Sequence, residues 1–253
     1  MVHISNFLIA VQFLTRLPIP ARLQTEWTMA DLRDSVHMFP LVGILVGLGA
    51  SLVYAAAVFC NLPPVIAAIL AVATQILMTG ALHEDGLADV CDGFGGGRTR
   101  EQKLEIMRDS RLGTYGAIGL ILGLALRVGA IAHLETVTVG LVAAAVLSRA
   151  TMPFAMLFLP QARPEGLAAS AGRPRPGRVY LGAVIGVVMA FLGLPAVAAG
   201  GAVIAGIVVA GLFLSMSRRQ IGGISGDVLG SLQQIVEVAC LITVLALASP
   251  TFS

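Results

Sequence analysis

Residues 36–60 read VHMFPLVGILVGLGASLVYAAAVFC and contain no Asp, Glu, Lys or Arg. An α-helix rises about 1.5 Å per residue, and the hydrocarbon core of a bilayer is about 30 Å thick. A run of this length and composition therefore predicts a helix that crosses a membrane. Strands are a poor alternative, because the strands of a membrane barrel alternate between apolar and polar side chains, whereas this run is continuously apolar.

Further apolar runs of similar length occur along the rest of the chain. The seven candidate spans are Val36–Cys60, Val65–Leu82, Gly113–Leu134, Val139–Leu159, Val179–Ala199, Ala202–Ser217 and Leu229–Ala248. Gly200-Gly201 is the only punctuation we recognise between the fifth and sixth runs, and it predicts a tight turn there. We therefore expect an all-α polytopic membrane bundle of about seven transmembrane helices, forming a single integral-membrane domain over residues 1–253.

The composition supports this class and argues against others. Hydrophobic residues make up 57% of the 253 residues and charged residues only 12%, whereas soluble domains carry about 25% charged residues. The net charge of +2 is too small for an electrostatic nucleic-acid binder. Glycine-rich spans permit close helix packing, within one chain or between copies, which leaves both a monomer and a homo-oligomer open.

The basic residues predict the orientation in the bilayer. Fourteen of the 16 Lys and Arg residues fall in segments 1–35, 83–112, 160–178 and 218–228. The positive-inside rule places these four segments in the cytoplasm and, with seven spans, the C-terminus outside. The short apolar stretch 4–15, followed by Pro18 and Pro20, predicts an interfacial or re-entrant helix.

The segment 83–112 carries half of the acidic residues and is the candidate catalytic segment. Asp85, Asp89 and Asp92 are spaced i, i+4, i+7, so on a helix they lie within an arc of about 60°. Like charges at this spacing destabilise a helix unless a cation neutralises them, and Mg²⁺ prefers such oxygen ligands. We expect this helix to continue directly from the second span and to bind a metal, although a solvated charged face is the alternative.

Phosphate-binding candidates follow the aspartates. Gly95-Gly96-Gly97 could form a turn whose backbone amides approach a phosphate beside Arg98. The stretch Arg100–Asp109 predicts an amphipathic helix with Glu101, Glu105 and Asp109 on one stripe, and Arg108 and Arg111 flank Asp109. Carboxylates and arginines together suit a metal-bound diphosphate. Intrahelical ion pairs on a cytoplasmic helix are the structural alternative.

A second group of polar residues lies later in the chain or inside spans. Asp227 could cap the last span or take part in the chemistry. Glu237 lies about two turns into that span, where ionised groups are rare and indicate function. Arg127 and Arg149 also fall inside spans and need partners, for which the acidic segment is the natural source. For both arginines, structural ion pairing and substrate contact are equally plausible.

Several motifs together resemble one family. They are FLTRLPIP (13–20), FPLVG (39–43), LHEDGLAD (82–89) with DG (92–93), LEIMRDSRLGTYG (104–116) and GGISGDVLG (222–230). This set resembles the signature of the cobalamin synthase family, the adenosylcobinamide-GDP ribazoletransferases, over almost the whole chain. Ser225 is a departure, since the family more often has Thr there, but a hydroxyl is kept.

The resemblance implies a reaction, to which we add our own assignment of residue roles. It implies that α-ribazole, or its 5′-phosphate, attacks the diphosphate of adenosylcobinamide-GDP and that GMP is released. The implied cofactor is Mg²⁺, and the implied location is the inner membrane. We assign metal binding to Asp85, Asp89 and Asp92, with Glu84 or Asp109 completing the ligand shell. Phosphate or substrate contacts are assigned to Arg98, Arg108, Arg111 and Arg149. Asp227 is a further ligand or the general base, and His83 is a weaker base candidate.

Two other functions compete with this interpretation. The stretch DVCDG (89–93) matches the opening of the signature of CDP-alcohol phosphatidyltransferases, which make lipids by the same type of reaction, but the rest of that signature is missing. A transporter would explain charged residues inside spans. Transporters, however, place their sites near the midplane, whereas the acidic residues here are concentrated in one surface segment.

Overall fold

The computed structural model describes residues 2–24, 26–164, 166 and 170–248, and this part of the chain contains no strand. The helices are α1 (Val2–Leu14), α2 (Met29–Ser35), α3 (Phe39–Phe59), α4 (Pro64–Thr79), α5 (Leu82–Gly96), α6 (Arg100–Ile106), α7 (Thr114–His133), α8 (Val137–Phe158), α9 (Pro176–Gly193), α10 (Ala196–Ile221) and α11 (Gly226–Ala248). The all-α prediction is confirmed.

Among the described residues, six helical stretches are long and apolar enough to span a membrane: Met29–Phe59, Thr114–His133, Val137–Phe158, Pro176–Gly193, Ala196–Ile221 and Gly226–Leu247. The pair α4 and α5 passes the same test only when taken together, with a bend of 92° between them. Six or seven spans agree with the predicted number. The short N-terminal helix is also present as α1, and it buries Ile9, Ala10 and Leu14 in the bundle.

The predicted continuation of the second span into the acidic helix is wrong. Gly80 and Ala81 adopt left-handed backbone conformations, with φ of 65° and 58°, and this ends α4 before α5 begins. Glycine reaches that region without strain, whereas Ala81 does so at some cost. Because α5 leaves α4 at 92°, the two helices do not form one straight span, and α5 is not part of the six stretches that pass the test alone. We therefore treat α5 as lying outside the membrane-spanning segments.

The predicted turn at Gly200-Gly201 is also wrong. The hairpin turns at Leu194-Pro195, and both glycines lie inside α10. Proline has no N–H to donate and disfavours helical geometry at the preceding residue, and Leu194 is indeed extended, with φ −101° and ψ 152°. The glycine at 201 has a packing role instead, because a Cβ there would lie 2.3 Å from Leu247 Cδ1.

The segments rich in Lys and Arg meet at one end of the bundle. Residues 160–162 pair with Ile224 through two backbone hydrogen bonds, of 2.7 and 2.9 Å. Arg100 joins both segments, donating to the carbonyl oxygens of Ile221 at 2.8 Å and Ala162 at 2.7 Å. Near the N-terminus, the backbone N–H of Arg16 donates to Met78 O at 2.7 Å. This common end is the feature that the positive-inside rule predicted from the sequence.

Candidate functional site

The site begins where α5 packs against the start of α11. A Cβ at Gly86 would lie 2.7 Å from the carbonyl oxygen of Asp227, so only glycine allows this approach. The Ser231 hydroxyl donates to Gly86 O at 2.8 Å, which fixes the two helices to each other. The absence of a side chain at Gly86 thus allows the aspartates of α5 to lie next to the N-terminus of the last span.

Three carboxylates and one guanidinium meet at this contact, and we call Asp85, Asp89, Asp227 and Arg163 the aspartate cluster. Arg163 Nη2 donates to Asp227 Oδ2 at 3.1 Å, and the Ser225 hydroxyl donates to the same oxygen at 3.1 Å. The carboxylates of Asp85 and Asp227 both lie close enough to Asp89 to repel its negative charge. When all three carboxylates are ionised, three negative charges against one positive charge leave the cluster with an excess of two negative charges.

The ionisation of Asp89 reflects this crowding. Partial burial raises the pKa of Asp89, and repulsion from Asp227 and Asp85 raises it further. Arg163 lowers this pKa, and the net result is a value of about 7. A carboxylate whose charge is this unfavourable in the isolated protein is stabilised by any cation that binds beside it. The cluster therefore has the electrostatic character of a cation site.

Asp92 has a different environment from the other two members of its stripe. One of its oxygens accepts the backbone N–H of Gly113 at 2.8 Å, and the other accepts that of Gly116 at 2.8 Å. These amides belong to the first turn of α7 and the residue before it, where N–H groups have no partner within the helix. Asp92 thus ties α5 to α7, in addition to its predicted role as a metal ligand.

The carboxylates of the aspartate cluster are the type of oxygen donor that Mg²⁺ prefers. Within the described residues, no three His, Cys, Asp or Glu side chains converge on one point as a ready-made metal site. Protein-bound Mg²⁺ keeps several waters and commonly takes only one or two carboxylates, together with substrate phosphates. Asp85 and Asp89 on α5, facing Asp227 on α11, can supply that many hard oxygen ligands.

A second polar region lies inside the bundle, and we call Glu84, Arg127, Arg149 and Glu237 the buried charge network. Arg127 is 1% exposed and Glu237 1% exposed. The ion-pair distances are 2.8 Å for Arg127–Glu84, 3.4 Å for Arg127–Glu237 and 3.5 Å for Arg149–Glu237. Two positive and two negative charges leave this network neutral.

Uncharged side chains complete the buried charge network. Gln75 contacts both Arg127 and Glu237, at 2.8 and 3.1 Å. Gln234 accepts from Arg127 at 3.0 Å and donates to Glu84 at 3.1 Å. Further members are Ser148 and Gln233, which both donate to Glu237. The network joins α4, α5, α7, α8 and α11, so it stabilises the bundle where unpaired charges would cost several kcal/mol.

The network assigns partners to two predicted site residues. Glu84, predicted to complete the metal shell, pairs with Arg127, although its Oε2 has no hydrogen-bond partner. Arg149, predicted to contact substrate, is 2% exposed and pairs with Glu237. Of the two alternatives that the sequence left open for Arg149 and Arg127, the structure provides the geometry of structural ion pairing.

The remaining phosphate-binding candidates lie at the surface beyond α5. Arg98 and Arg108 are exposed. Asp109 lies after the end of α6, so the predicted stripe with Glu101 and Glu105 does not extend to it. The Arg111 side chain pairs with Asp109 at 2.6 Å and holds the pKa of that carboxyl below its usual value. The predicted glycine turn is partly helical, since Gly95 and Gly96 belong to α5.

His83 lines a cavity of about 210 Å³ that opens beside the aspartate cluster, and Asp85 and Asp227 are also part of its wall. The imidazole is 1% exposed, and its Nε2 has no hydrogen-bond partner. Most of the other lining residues are apolar, such as Phe13, Phe39 and Met156. A largely apolar cavity thus adjoins an acidic surface.

Arg163 is a site residue that sequence analysis missed. In the sequence it is one of four arginines in the predicted cytoplasmic segment 160–178, and nothing in its neighbours distinguishes it from a topological anchor. Its proximity to Asp227 depends on the pairing of residues 160–162 with Ile224, which is a contact between distant parts of the chain. The apolar cavity was missed for the same reason, because α1, α3, α5, α8 and α11 all contribute to it.

Comparison with known proteins gives one consistent result. The family model described as cobalamin-5-phosphate synthase matches residues 6–245. Among the curated proteins, the adenosylcobinamide-GDP ribazoletransferase of Azorhizobium caulinodans is 43% identical over 95% of this chain and 95% of its own length. Its counterpart in Bradyrhizobium diazoefficiens is 46% identical over 96% of this chain and 94% of its own length. No solved structure matches. The chain belongs to the cobalamin-5-phosphate synthase family.

Proposed function

We propose that this membrane protein transfers the adenosylcobinamide-phosphate group from adenosylcobinamide-GDP to α-ribazole or α-ribazole 5′-phosphate. The products are GMP and adenosylcobalamin or its 5′-phosphate, so the reaction is a late step of cobalamin biosynthesis. The names of relatives that cover more than nine tenths of the chain support this activity. The observation within the molecule that carries it is the aspartate cluster, whose excess negative charge at the bundle end suits metal-assisted diphosphate chemistry.

The reaction makes one bond and breaks one. The ribose 3′-hydroxyl oxygen of α-ribazole attacks the phosphorus atom that carries the cobinamide group. The bond from that phosphorus to the bridging oxygen breaks, GMP leaves with the bond's electron pair, and the hydroxyl proton passes to a base. Bound Mg²⁺ would neutralise the developing charge on the diphosphate oxygens.

The chain's own residues have separate tasks in this proposal. Asp85 and Asp89 would hold the metal. Asp92 would hold α5 to the start of α7, and Glu84 would hold it to Arg127. Asp227 is the best placed proton acceptor, because Ser225 and Arg163 both orient its Oδ2. Arg163 would also contact a phosphate oxygen. Arg98, Arg108 and Arg111, at the exposed end of this region, would bind the outer part of the donor.

The location and assembly follow from the same reasoning. We propose that the protein lies in the inner membrane with the aspartate cluster on the cytoplasmic side, because the segments rich in Lys and Arg gather at that end. Its substrates would then be those of the cytoplasm. Exposed glycines such as Gly211, around which a Cβ would meet nothing within 4 Å, would permit close approach of a second copy in a homo-oligomer.

The competing functions have less support. The matched family and the named relatives are not lipid-making phosphatidyltransferases or transporters. The charges inside the bundle, which favoured a transporter, are paired with one another in the buried charge network. Their role is accounted for by packing.

The test is a reconstituted reaction with purified protein in detergent. Adenosylcobinamide-GDP, α-ribazole and Mg²⁺ should yield GMP and adenosylcobalamin in equal amounts, measured by chromatography. The matched control replaces the donor by a CDP-alcohol, from which we expect no CMP. Release of CMP at a comparable rate, or absence of both nucleotides with folded protein, would refute the proposal.

A further inference from the structure

The cavity beside the aspartate cluster has the size of a single aromatic ring system. Its volume is about 210 Å³, and an apolar cavity of about 150 Å³ in another protein is known to hold benzene. The walls come from Phe13, Phe39, Leu82, Met152 and Met156, with Asp85 at the acidic edge. A planar apolar group with a polar attachment pointing to the aspartates matches this distribution of side chains.

The reacting molecules differ in how well they match. The corrin ring of the donor is far larger than the cavity. The guanine base carries several donors and acceptors along its edge, and burying them without partners costs roughly 2–7 kcal/mol for each group. The benzimidazole of α-ribazole has an apolar fused ring and a single free acceptor, the ring nitrogen that bears no ribose.

His83 supplies the complement to that single acceptor. The side chain is 1% exposed, it lines the cavity, and its Nε2 has no hydrogen-bond partner. A buried polar atom without a partner is rare in native structures and calls for an explanation. A ligand with one acceptor nitrogen would satisfy an N–H at this position, whereas a lipid acyl chain would leave it unpaired.

We propose that the cavity is the binding subsite for the benzimidazole base of α-ribazole, and that His83 Nε2 donates a hydrogen bond to its free ring nitrogen. The inference rests on the proposed function for the identity of the ligand. It also gives the direction of binding. With the base in the cavity, the ribose lies at the edge formed by Asp85 and Asp227, where its hydroxyl meets the proposed proton acceptor.

The first test fills the cavity. Met156→Trp should raise the Kd for α-ribazole at least tenfold, measured from benzimidazole fluorescence without donor or Mg²⁺, and should leave the KM for adenosylcobinamide-GDP within about twofold. The control is Thr151→Leu on the same helix, which lines a separate cavity of about 120 Å³. It should change neither constant. Unchanged α-ribazole affinity in folded Met156→Trp protein would overturn the proposal.

The second test addresses His83 and does not depend on the first variant folding. The wild type should bind α-ribazole more tightly than the matching indole riboside, which lacks the free ring nitrogen, by about tenfold, the worth of a hydrogen bond of roughly 1.4 kcal/mol. In His83→Phe this preference should disappear, and in His83→Gln, which retains a donor, part of it should return. A preference that survives in His83→Phe would refute the assignment.

Both measurements read binding rather than turnover, so they separate two kinds of failure. Wild-type protein that binds α-ribazole but releases no GMP would count against the proposed function and leave the subsite standing. Protein that releases GMP at the wild-type rate and binds α-ribazole normally with the cavity filled would count against the subsite alone.

Discussion

The aspartate cluster and the buried charge network share two helices, α5 and α11, but differ in their electrostatic balance. Neighbouring residues separate them, since Glu84 faces the network and Asp85 the cluster. The network has two acidic and two basic side chains, and each of them forms an ion pair with another member. The cluster has three carboxylates and one arginine, and Asp85 on its outer side is exposed.

This difference indicates which charges are structural and which are functional. A neutral, buried network needs no counter-ion from outside and stabilises one arrangement of five helices. An excess of negative charge at a surface is unfavourable in the isolated protein and is relieved when a cation binds. We infer that the network maintains the position of α5 and α11, and that the cluster carries the chemistry on that support.

The largest effect should come from breaking the network. Glu237→Met removes the partner of Arg149 and one partner of Arg127, and leaves an uncompensated positive charge in the bundle. Breaking a buried ion pair in this way costs about 3–5 kcal/mol. We expect little folded protein in the membrane fraction and a large fall in the melting temperature of what remains, measured by size-exclusion chromatography and thermal unfolding in detergent.

A double variant separates lost charge balance from lost packing. Arg149→Met combined with Glu237→Met restores neutrality, because Arg127 and Glu84 remain as a pair. Replacing a whole buried pair by apolar side chains is often neutral or even stabilising, so the double variant should be more stable than Glu237→Met alone. Equal instability of the two would mean that the charges are not what the bundle requires.

The next effect concerns rate. Asp89→Asn keeps the size of the side chain but removes one charge from the cluster, so kcat should fall by about 10² or more, since a positioned metal supplies several kcal/mol of transition-state stabilisation. Folding should be unaffected, because like-charge repulsion is relieved. The control is Glu101→Gln on α6, whose side chain is 77% exposed and which should turn over at nearly the wild-type rate. Wild-type turnover by Asp89→Asn with an unchanged Mg²⁺ requirement would exclude the cluster as the metal site.

Asp92 should show a smaller effect on stability that Asp89 does not share. Its two oxygens accept backbone amides at the start of α7, and the amide of Asn can accept at only one atom. Loss of such a helix cap costs about 0.5–2 kcal/mol. Asp92→Asn should therefore lower the melting temperature where Asp89→Asn does not. Equal melting temperatures for the two variants would contradict the capping role.

The sequence predicted the fold class and the span number because both depend on local composition. It misplaced two boundaries for equally physical reasons. The left-handed pair Gly80-Ala81 and the turn at Leu194-Pro195 are decided by one or two residues, whereas a run of hydrophobic side chains continues through both. Gly200-Gly201 resembled a turn but is tolerated within α10, where it admits Leu247.

The site was predictable in part. The spacing of Asp85 and Asp89 and the motif around Asp227 indicated which carboxylates to consider. The resemblance to a family connected them to a diphosphate reaction. Spacing could not show that Asp92 caps α7, that Arg149 pairs with Glu237, or that Arg163 reaches Asp227. Each of these contacts joins residues at least 21 positions apart, and such pairings are determined by packing.

The smallest effect should come from charges that belong to neither region. Arg173 and Arg175 share the basic segment with Arg163, but both are exposed, and Arg175 is 3.9 Å from Asp34 with its side chain 71% exposed. Exposed ion pairs contribute about 0–1 kcal/mol. The combined variant Arg173→Gln with Arg175→Gln should therefore keep kcat and both KM values within about twofold, once activity is corrected for the amount of protein in the membrane. That amount is expected to fall somewhat if these residues serve as topological anchors.

Arg163→Gln is the matched comparison, since it changes the same kind of residue in the same segment but removes a partner of Asp227. It should lower kcat/KM by about tenfold or more, because a charge-assisted hydrogen bond is lost. A large loss of turnover in the double variant at normal protein level would place the whole segment over the substrate and would extend the aspartate cluster beyond the four residues assigned to it.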